Sequence, residues 1–187
     1  MNIILLGPPG SGKGTQGALL AERSRASRVS TGDLLRTAVR DATPLGKEAK
    51  SYMDRGLLVP DGVVLGLIED VLNSPRAKSG IIMDGFPRTT AQAEEVDRLL
   101  DARKMQIDNV LNFEVPDDEL VRRMQGRAAK EGRTDDTPAA FQQRLAVYRE
   151  QTAPLIAYYR MRGTLVTVPA VGAVEEIAKR VRKAVGA

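Results

Sequence analysis

The apolar run Ile3-Ile4-Leu5-Leu6 leads without a break into Gly7-Pro8-Pro9-Gly10-Ser11-Gly12-Lys13-Gly14-Thr15. A short apolar run reads as a buried strand, the glycines as a turn, and the residues from Lys13 onward as the start of a helix. This is the context that a phosphate-binding loop requires. Glycines let the backbone curl around an anion with its N–H groups pointing inward, and the open amides of a first helical turn aim at the same point. Lys13 supplies a mobile positive charge for outer phosphates, and the hydroxyl of Thr15, or that of a neighbour, is placed to face a bound magnesium. A glycine-rich surface turn with a solvated lysine is the competing interpretation; the spacing of strand, loop and helix favours a nucleotide site.

Composition narrows the rest. A chain of 187 residues, 42% of them hydrophobic, suits one sizeable core. It contains neither cysteine nor histidine. A disulfide framework and a thiolate zinc site are therefore excluded, and any metal is a hard ion held through oxygen and phosphate. The amino-terminal residues lack the pattern of a signal peptide and no apolar run approaches membrane-spanning length, so a cytoplasmic protein with no membrane partner is expected. The net charge of +4, from 28 basic and 24 acidic residues, accompanies only 4% aromatics. That balance argues against nucleic acid and for small polyanionic substrates.

Further apolar runs fall around Arg28-Val29-Ser30, at Gly80 to Asp84, at Val110 to Val115 and at Thr164 to Val168, separated by helical patterns such as Thr89 to Lys104 and Gly172 to Val185. Alternating strands and helices predict a parallel sheet covered on both faces. Ligands of such sheets gather beyond the carboxyl ends of the strands, where both Gly7–Thr15 and Asp84–Arg88 fall. Two stretches read as insertions. Residues 30–59 carry helical pieces broken at Thr43-Pro44 and Gly56, with Asp61 placed to cap the next helix. Residues 126–136 are polar, with Gly126 and Gly132, and have the character of a short lid. The core is then 1–29, 60–125 and 137–187, within one domain spanning 1–187.

Asp84, at the tip of an apolar strand, is placed to hold magnesium through water, or else to cap a turn. Arg88 would reach a second anion. Arg36, Arg123, Arg127, Arg133 and Arg144 add positive charge on the peripheral elements, and Arg123 and Arg127 lie four apart on one helix. Together with Lys13 and Arg88 they supply what two nucleotides facing phosphate to phosphate would need. Asp33 caps a helix near Leu34 or orients an arginine, and Asp135 and Asp136 read first as helix caps. Arg25, Arg28, Arg76, Arg98 and the group Arg180, Arg182 and Lys183 read as surface charge.

Several ordered motifs resemble the adenylate kinase family in its short-lid bacterial form: residues 7–16, Ser30 to Arg36, Gly56 to Asp61, Asp84 to Thr89 with Gln92, Arg123 to Arg127, Arg133 to Asp136, and Arg144-Leu145. The resemblance covers essentially the whole chain. It implies an α/β, P-loop nucleoside monophosphate kinase-like fold: a three-layer sandwich with a five-stranded parallel sheet and two inserted mobile elements. The implied activity is reversible, magnesium-dependent transfer between ATP and AMP to give two ADP, keeping adenine nucleotides in balance, in a monomer. By residue match, Gly10, Ser11, Gly12, Lys13, Gly14, Thr15, Arg123, Arg127 and the backbone of Gly172 would hold ATP. Thr31, Arg36, Leu57, Leu58, Val59, Gly85, Phe86, Pro87, Arg88 and Gln92 would hold AMP, and Arg133 and Arg144 would bridge the phosphates. Lys13, Arg88, Arg123, Arg133 and Arg144 would act on the transferred group.

The Gln92 amide offers a donor and an acceptor to an adenine edge, and Thr31 with Gln92 departs from the pyrimidine-specific pattern of the superfamily. A pyrimidine monophosphate kinase and a nucleotide-gated binding module are the alternatives. The short lid has no cysteine tetrad, so it holds no structural zinc.

Overall fold

The opening run forms β1 (Asn2–Leu6), the middle strand of a parallel sheet. Its other members are β2 (Ser27–Ser30), β3 (Ile81–Asp84), β4 (Asn109–Glu114) and β5 (Leu165–Pro169). The five strands run in the order β2-β3-β1-β4-β5. The computed structural model describes residues 1–131 and 137–186, apart from the side chains of Arg76 and residues 127–131. Leu5 pairs with Asp84, Asp84 with Ser30, and Leu6 with Asn112, so the central strands end at one level. The chain crosses from β1 outward to β2 on one side and from β3 over to β4 on the other, which opens a crevice at the ends of β1 and β3.

The helices are α1 (Lys13–Ser24), α2 (Thr31–Arg40), α3 (Pro44–Met53), α4 (Asp61–Asn73), α5 (Thr90–Asp101), α6 (Asp117–Glu131), α7 (Pro138–Val147), α8 (Pro154–Met161) and α9 (Val174–Val185). A π-helical turn, Tyr148–Thr152, joins α7 to α8. Successive strand residues point to opposite faces, and both faces are apolar. Ile4, Leu6, Ile81, Met83 and Val110 pack with Ile68, Val96, Leu100 and Leu155 of α4, α5 and α8. Ile3, Leu5, Ile82, Leu111, Phe113 and Val168 pack with Leu20 of α1 and Ile177 and Val181 of α9. The three-layer arrangement read from the sequence is the one found.

Phe113 is 1% exposed in the second of these layers. Phe113→Ala is expected to cost about 3–5 kcal/mol, since a buried aromatic leaves a cavity that a close-packed sheet cannot fill. Urea unfolding should show a lower midpoint at an unchanged slope.

Residues 30–59 form α2 and α3, a helical hairpin set beside the sheet. Thr43 accepts from the Gly46 amide at 3.0 Å and Pro44 opens the helix, which explains the break at this point. The two helices cross so tightly that a Cβ at Gly46 would lie 2.0 Å from the Ala38 carbonyl oxygen. A separate cluster of Leu120, Met124, Phe141 and Leu145 joins α6 to α7. Thr137 caps α7 by accepting from the Ala140 amide, the role expected of Asp135 or Asp136. Those two aspartates lie outside the described residues with 132–134, while the earlier part of the stretch assigned to the lid continues α6 to Glu131. Among the described residues, no helix is long and apolar enough to cross a membrane.

Candidate active site

At the end of β1 the chain turns through Gly10 (φ 85°) and Gly12 (φ 91°), left-handed values that glycine tolerates without strain. Gly12 stands at the N-cap of α1, which has no side-chain cap and no acidic residue in its first turn. With no side chain capping this helix start, its amides and positive end point toward the loop, the arrangement that binds an anion. Lys13 folds back across the loop, where Nζ donates to the carbonyls of Gly7 (2.6 Å) and Pro8 (2.8 Å) and to Ser11 Oγ (3.1 Å). Ser11 is buried under the loop and Thr15 is exposed on the first turn. Arg123 of α6 flanks the loop, donating to Glu119 Oε1 (2.6 Å) and the Ala170 carbonyl (2.8 Å). Hydrogen bonds from Arg123 and Arg122 hold the Glu119 carboxyl below the usual carboxylate range.

A second set of cations faces this loop across the cleft. Arg36 comes from α2, Arg88 from the turn after β3, and Arg144 from α7, where its Nη2 donates to the Met53 carbonyl (3.3 Å). Arg88 Nε donates to the Gly85 carbonyl (2.8 Å), which also accepts from Thr31 Oγ1 (2.9 Å). Burial pushes the Arg88 guanidinium down, and the charges of Arg144 and Arg36 push the same way against the opposing pull of Asp84. These like charges are held together at a cost that an anion among them would remove. Gln92 is buried; its Oε1 accepts from the Arg88 amide (2.7 Å) and its Nε2 donates to Asp61 Oδ1 (2.6 Å). Asp61 therefore does not cap α4, contrary to expectation, because its carboxylate is turned to Gln92. The Phe86-Pro87 peptide is cis.

The two sides enclose one cleft of about 920 Å³. Its walls include Gly10, Ser11, Gly12, Lys13, Gly14, Thr15, Arg123 and Gly172 on one side. The other side contributes Thr31, Arg36, Leu57, Leu58, Val59, Gly85, Phe86, Pro87, Arg88, Gln92 and Arg144. Asp84 lies on the floor between them. Of the residues assigned to the nucleotide sites from the sequence, Arg127 and Arg133 are not placed, because the Arg127 side chain and all of Arg133 lie outside the described residues, as do Asp135 and Asp136.

Two arginines read as surface charge belong instead to this neighbourhood. Arg28 donates to Asp84 Oδ2 (2.7 Å) and lies 3.2 Å from Asp33 Oδ2. Asp84 is thus an ion-pair partner rather than a cap. Asp33 sits in the first turn of α2, where Ser30 is the cap, and it orients arginines, taking Arg36 Nη2 on Oδ1 at 2.5 Å. Arg180 donates one Nη1 to the carbonyls of both Pro169 (2.9 Å) and Val171 (2.7 Å), clamping the turn that leads to Gly172. No sequence pattern marks either arginine. Arg28 is revealed only when β2 is laid beside β3, and Arg180 only when α9 folds back on the end of β5.

A phosphate-binding loop at the switch point of a five-stranded parallel sheet, opposed by a second cluster of arginines, defines a P-loop kinase of the nucleoside monophosphate type. The family model for adenylate kinase matches residues 5–164. The adenylate kinase of Corynebacterium aurimucosum is 49% identical over 186 residues, covering 100% of this chain and 99% of the relative. That of Stenotrophomonas maltophilia is 47% identical over 187 residues, covering 100% of both, and that of Leptospira biflexa is 46% identical over 183 residues, covering 98% of both. The chain belongs to the adenylate kinase family.

Proposed function

We propose that this protein transfers the terminal phosphoryl group of ATP to AMP, reversibly, giving two ADP. The observation that carries this is the pairing of two cationic sites in one cleft. Lys13 and Arg123 stand at the phosphate loop, and Arg36, Arg88 and Arg144 stand opposite. A protein that only bound or hydrolysed one nucleotide would have no use for the second set.

Residues 30–59 are then the acceptor-binding region, with Thr31, Arg36, Leu57 to Val59, Gly85 to Arg88 and Gln92 around AMP. Beyond its two hydrogen bonds, the Gln92 amide keeps one N–H and one lone pair, enough for one donor and one acceptor at the adenine edge. ATP would lie along Gly10 to Thr15, held also by Arg127 and the Gly172 backbone, with Arg123 facing its phosphates. The acceptor oxygen is a phosphate oxygen, already anionic near neutral pH, so a chain without histidine loses nothing by lacking that base. Lys13, Arg88, Arg123, Arg133 and Arg144 stabilise charge as it spreads over the transferred group and keep attacking and leaving oxygens in line. The segment 126–136 closes over the cleft as a lid and keeps water from competing as acceptor.

Magnesium fits the donor set at the cleft floor, because the Asp84 carboxylate and Thr15 hydroxyl are hard oxygen donors. The carboxylate also faces the helix start, 3.5 Å from where a Cβ at Gly14 would stand. Held there by the nucleotide phosphates, Thr15 and water on Asp84, it would neutralise phosphate charge. The protein would act as a monomer, in the cytoplasm, on free nucleotides.

The test is ADP formation from magnesium and ATP with AMP, CMP, UMP or GMP as acceptor, beside an acceptor-free control. Rapid ADP formation with AMP alone is expected. Preference for a pyrimidine monophosphate would move the protein to that branch, and slow hydrolysis without acceptor dependence would make it a nucleotide-gated module. Within the same assay, Arg180→Met is expected to raise KM for ATP about tenfold, the scale of losing charge-assisted bonds that position a binding turn. KM for AMP should stay unchanged.

A further inference from the structure

Arg28 is 24% exposed and its partner Asp84 11%. Its Nε is buried without a hydrogen-bond partner. The guanidinium lies under the first turn of α1, where a Cβ at Gly14 would stand 3.3 Å from Nη2 and one at Gly17 3.4 Å from Nε. A side chain with one buried, unsatisfied nitrogen is not a solvated surface charge. Its remaining contacts form a row of alternating charge, Arg36–Asp33–Arg28–Asp84, with contacts of 2.5, 3.2 and 2.7 Å. The row links the acceptor arginine to the carboxylate at the floor of the phosphate loop. Taken together, Asp84 and Asp33 outweigh burial and hold Arg28 firmly charged.

Asp84 alone would repel a triphosphate that arrives without its metal, because two like charges would meet in a partly dry cleft. We propose that Arg28 is a positioning residue that acts as a resident counter-charge to Asp84: it keeps the carboxylate neutralised and oriented when no metal accompanies the nucleotide, and it gives way to the metal when one does. This rests on the nucleotide site described above. It predicts that Arg28 strengthens binding of metal-free ATP and weakens the hold of Asp84 on a hydrated cation. Through Asp33, the same pair fixes Arg36 at the acceptor side.

Calorimetric titration of ATP into the full-length protein, once with excess EDTA and once with excess magnesium, separates these effects. In Arg28→Gln, affinity for metal-free ATP should fall about tenfold, while affinity for magnesium-bound ATP should change less than about threefold. Asp84→Asn, which leaves the guanidinium without its anion, should shift metal-free ATP the other way, tightening it about tenfold. Arg28→Lys keeps the charge and should restore most of the metal-free affinity, a rescue that also covers the case of a poorly folded glutamine variant. Equal weakening of both forms of ATP in Arg28→Gln would make Arg28 a structural brace and overturn the proposal, as would an unchanged metal-free affinity in Asp84→Asn. Failure of the parent protein to bind ATP under either condition would instead count against the nucleotide site itself.

Discussion

Arg88→Met is expected to lower kcat/KM for AMP about a thousandfold, the scale on which a guanidinium that stabilises a transferring phosphoryl group contributes. The ligand-free variant should nevertheless unfold at or above the parent's midpoint temperature. Arg88 is half-buried, and its pKa is pressed down first by burial and then by Arg144 and Arg36. Because the folded protein disfavours its charged form relative to the unfolded chain, the charge subtracts from stability throughout the range in which the unfolded side chain is protonated. Removing it relieves that repulsion, while the lost bond to the Gly85 carbonyl offsets part of the gain. An activity loss paired with unimpaired stability is the signature of a site held under electrostatic strain. Thermal scans with AMP complete the prediction, since AMP should raise the midpoint of the parent and leave that of the variant almost unmoved. A variant that is markedly less stable without ligand would show that Arg88 serves the fold.

Lys13→Met is expected to reduce kcat by about a thousandfold with a much smaller change in KM for ATP, because its charge matters most when negative charge reaches the outer phosphate oxygens. Lys13 spans the loop, donating to Gly7, Pro8 and Ser11, so it stands within reach of any phosphate that displaces those contacts. Lys13→Arg should not restore the rate, because a planar guanidinium cannot take the place of a compact ammonium enclosed by carbonyls 2.6 and 2.8 Å away. Initial rates in a coupled ADP assay and calorimetric ATP binding decide between this outcome and a parallel loss of both constants, which would mean that Lys13 only binds.

What could be read from the chain before folding was what is encoded locally. The apolar run Ile3 to Leu6 and the glycines after it fix a strand, a turn and a helix start, and the observed β1 and α1 follow them. Thr43-Pro44 marks a helix start because a hydroxyl and a proline act on adjacent backbone groups. Lys13, Asp84 and Arg88 could be named because each sits at a strand end or in the turn or helix start that follows it, whereas Arg36, Gln92, Arg123 and Arg144 lie on helices and took their roles from the order and spacing of motifs that resemble the family. Arg28, Arg180 and Asp61 could not, because their roles depend on partners 56, 11 and 31 residues away. An arginine amid polar neighbours reads as solvated until a parallel strand brings a carboxylate beside it. Asp61 sits where a capping residue belongs, and only the packing of α5 against α4 shows that Gln92 claims its oxygen instead.

The central claim is that two nucleotides meet phosphate to phosphate in one cleft, and the most direct measurement supplies ADP as the sole nucleotide with magnesium. Phosphorus NMR should show ATP and AMP growing in equal amounts at the expense of ADP, with no inorganic phosphate released, until the three reach the same mixture as a reaction begun from ATP and AMP. Release of inorganic phosphate, or ADP left unchanged by a protein that still binds it, would contradict the account.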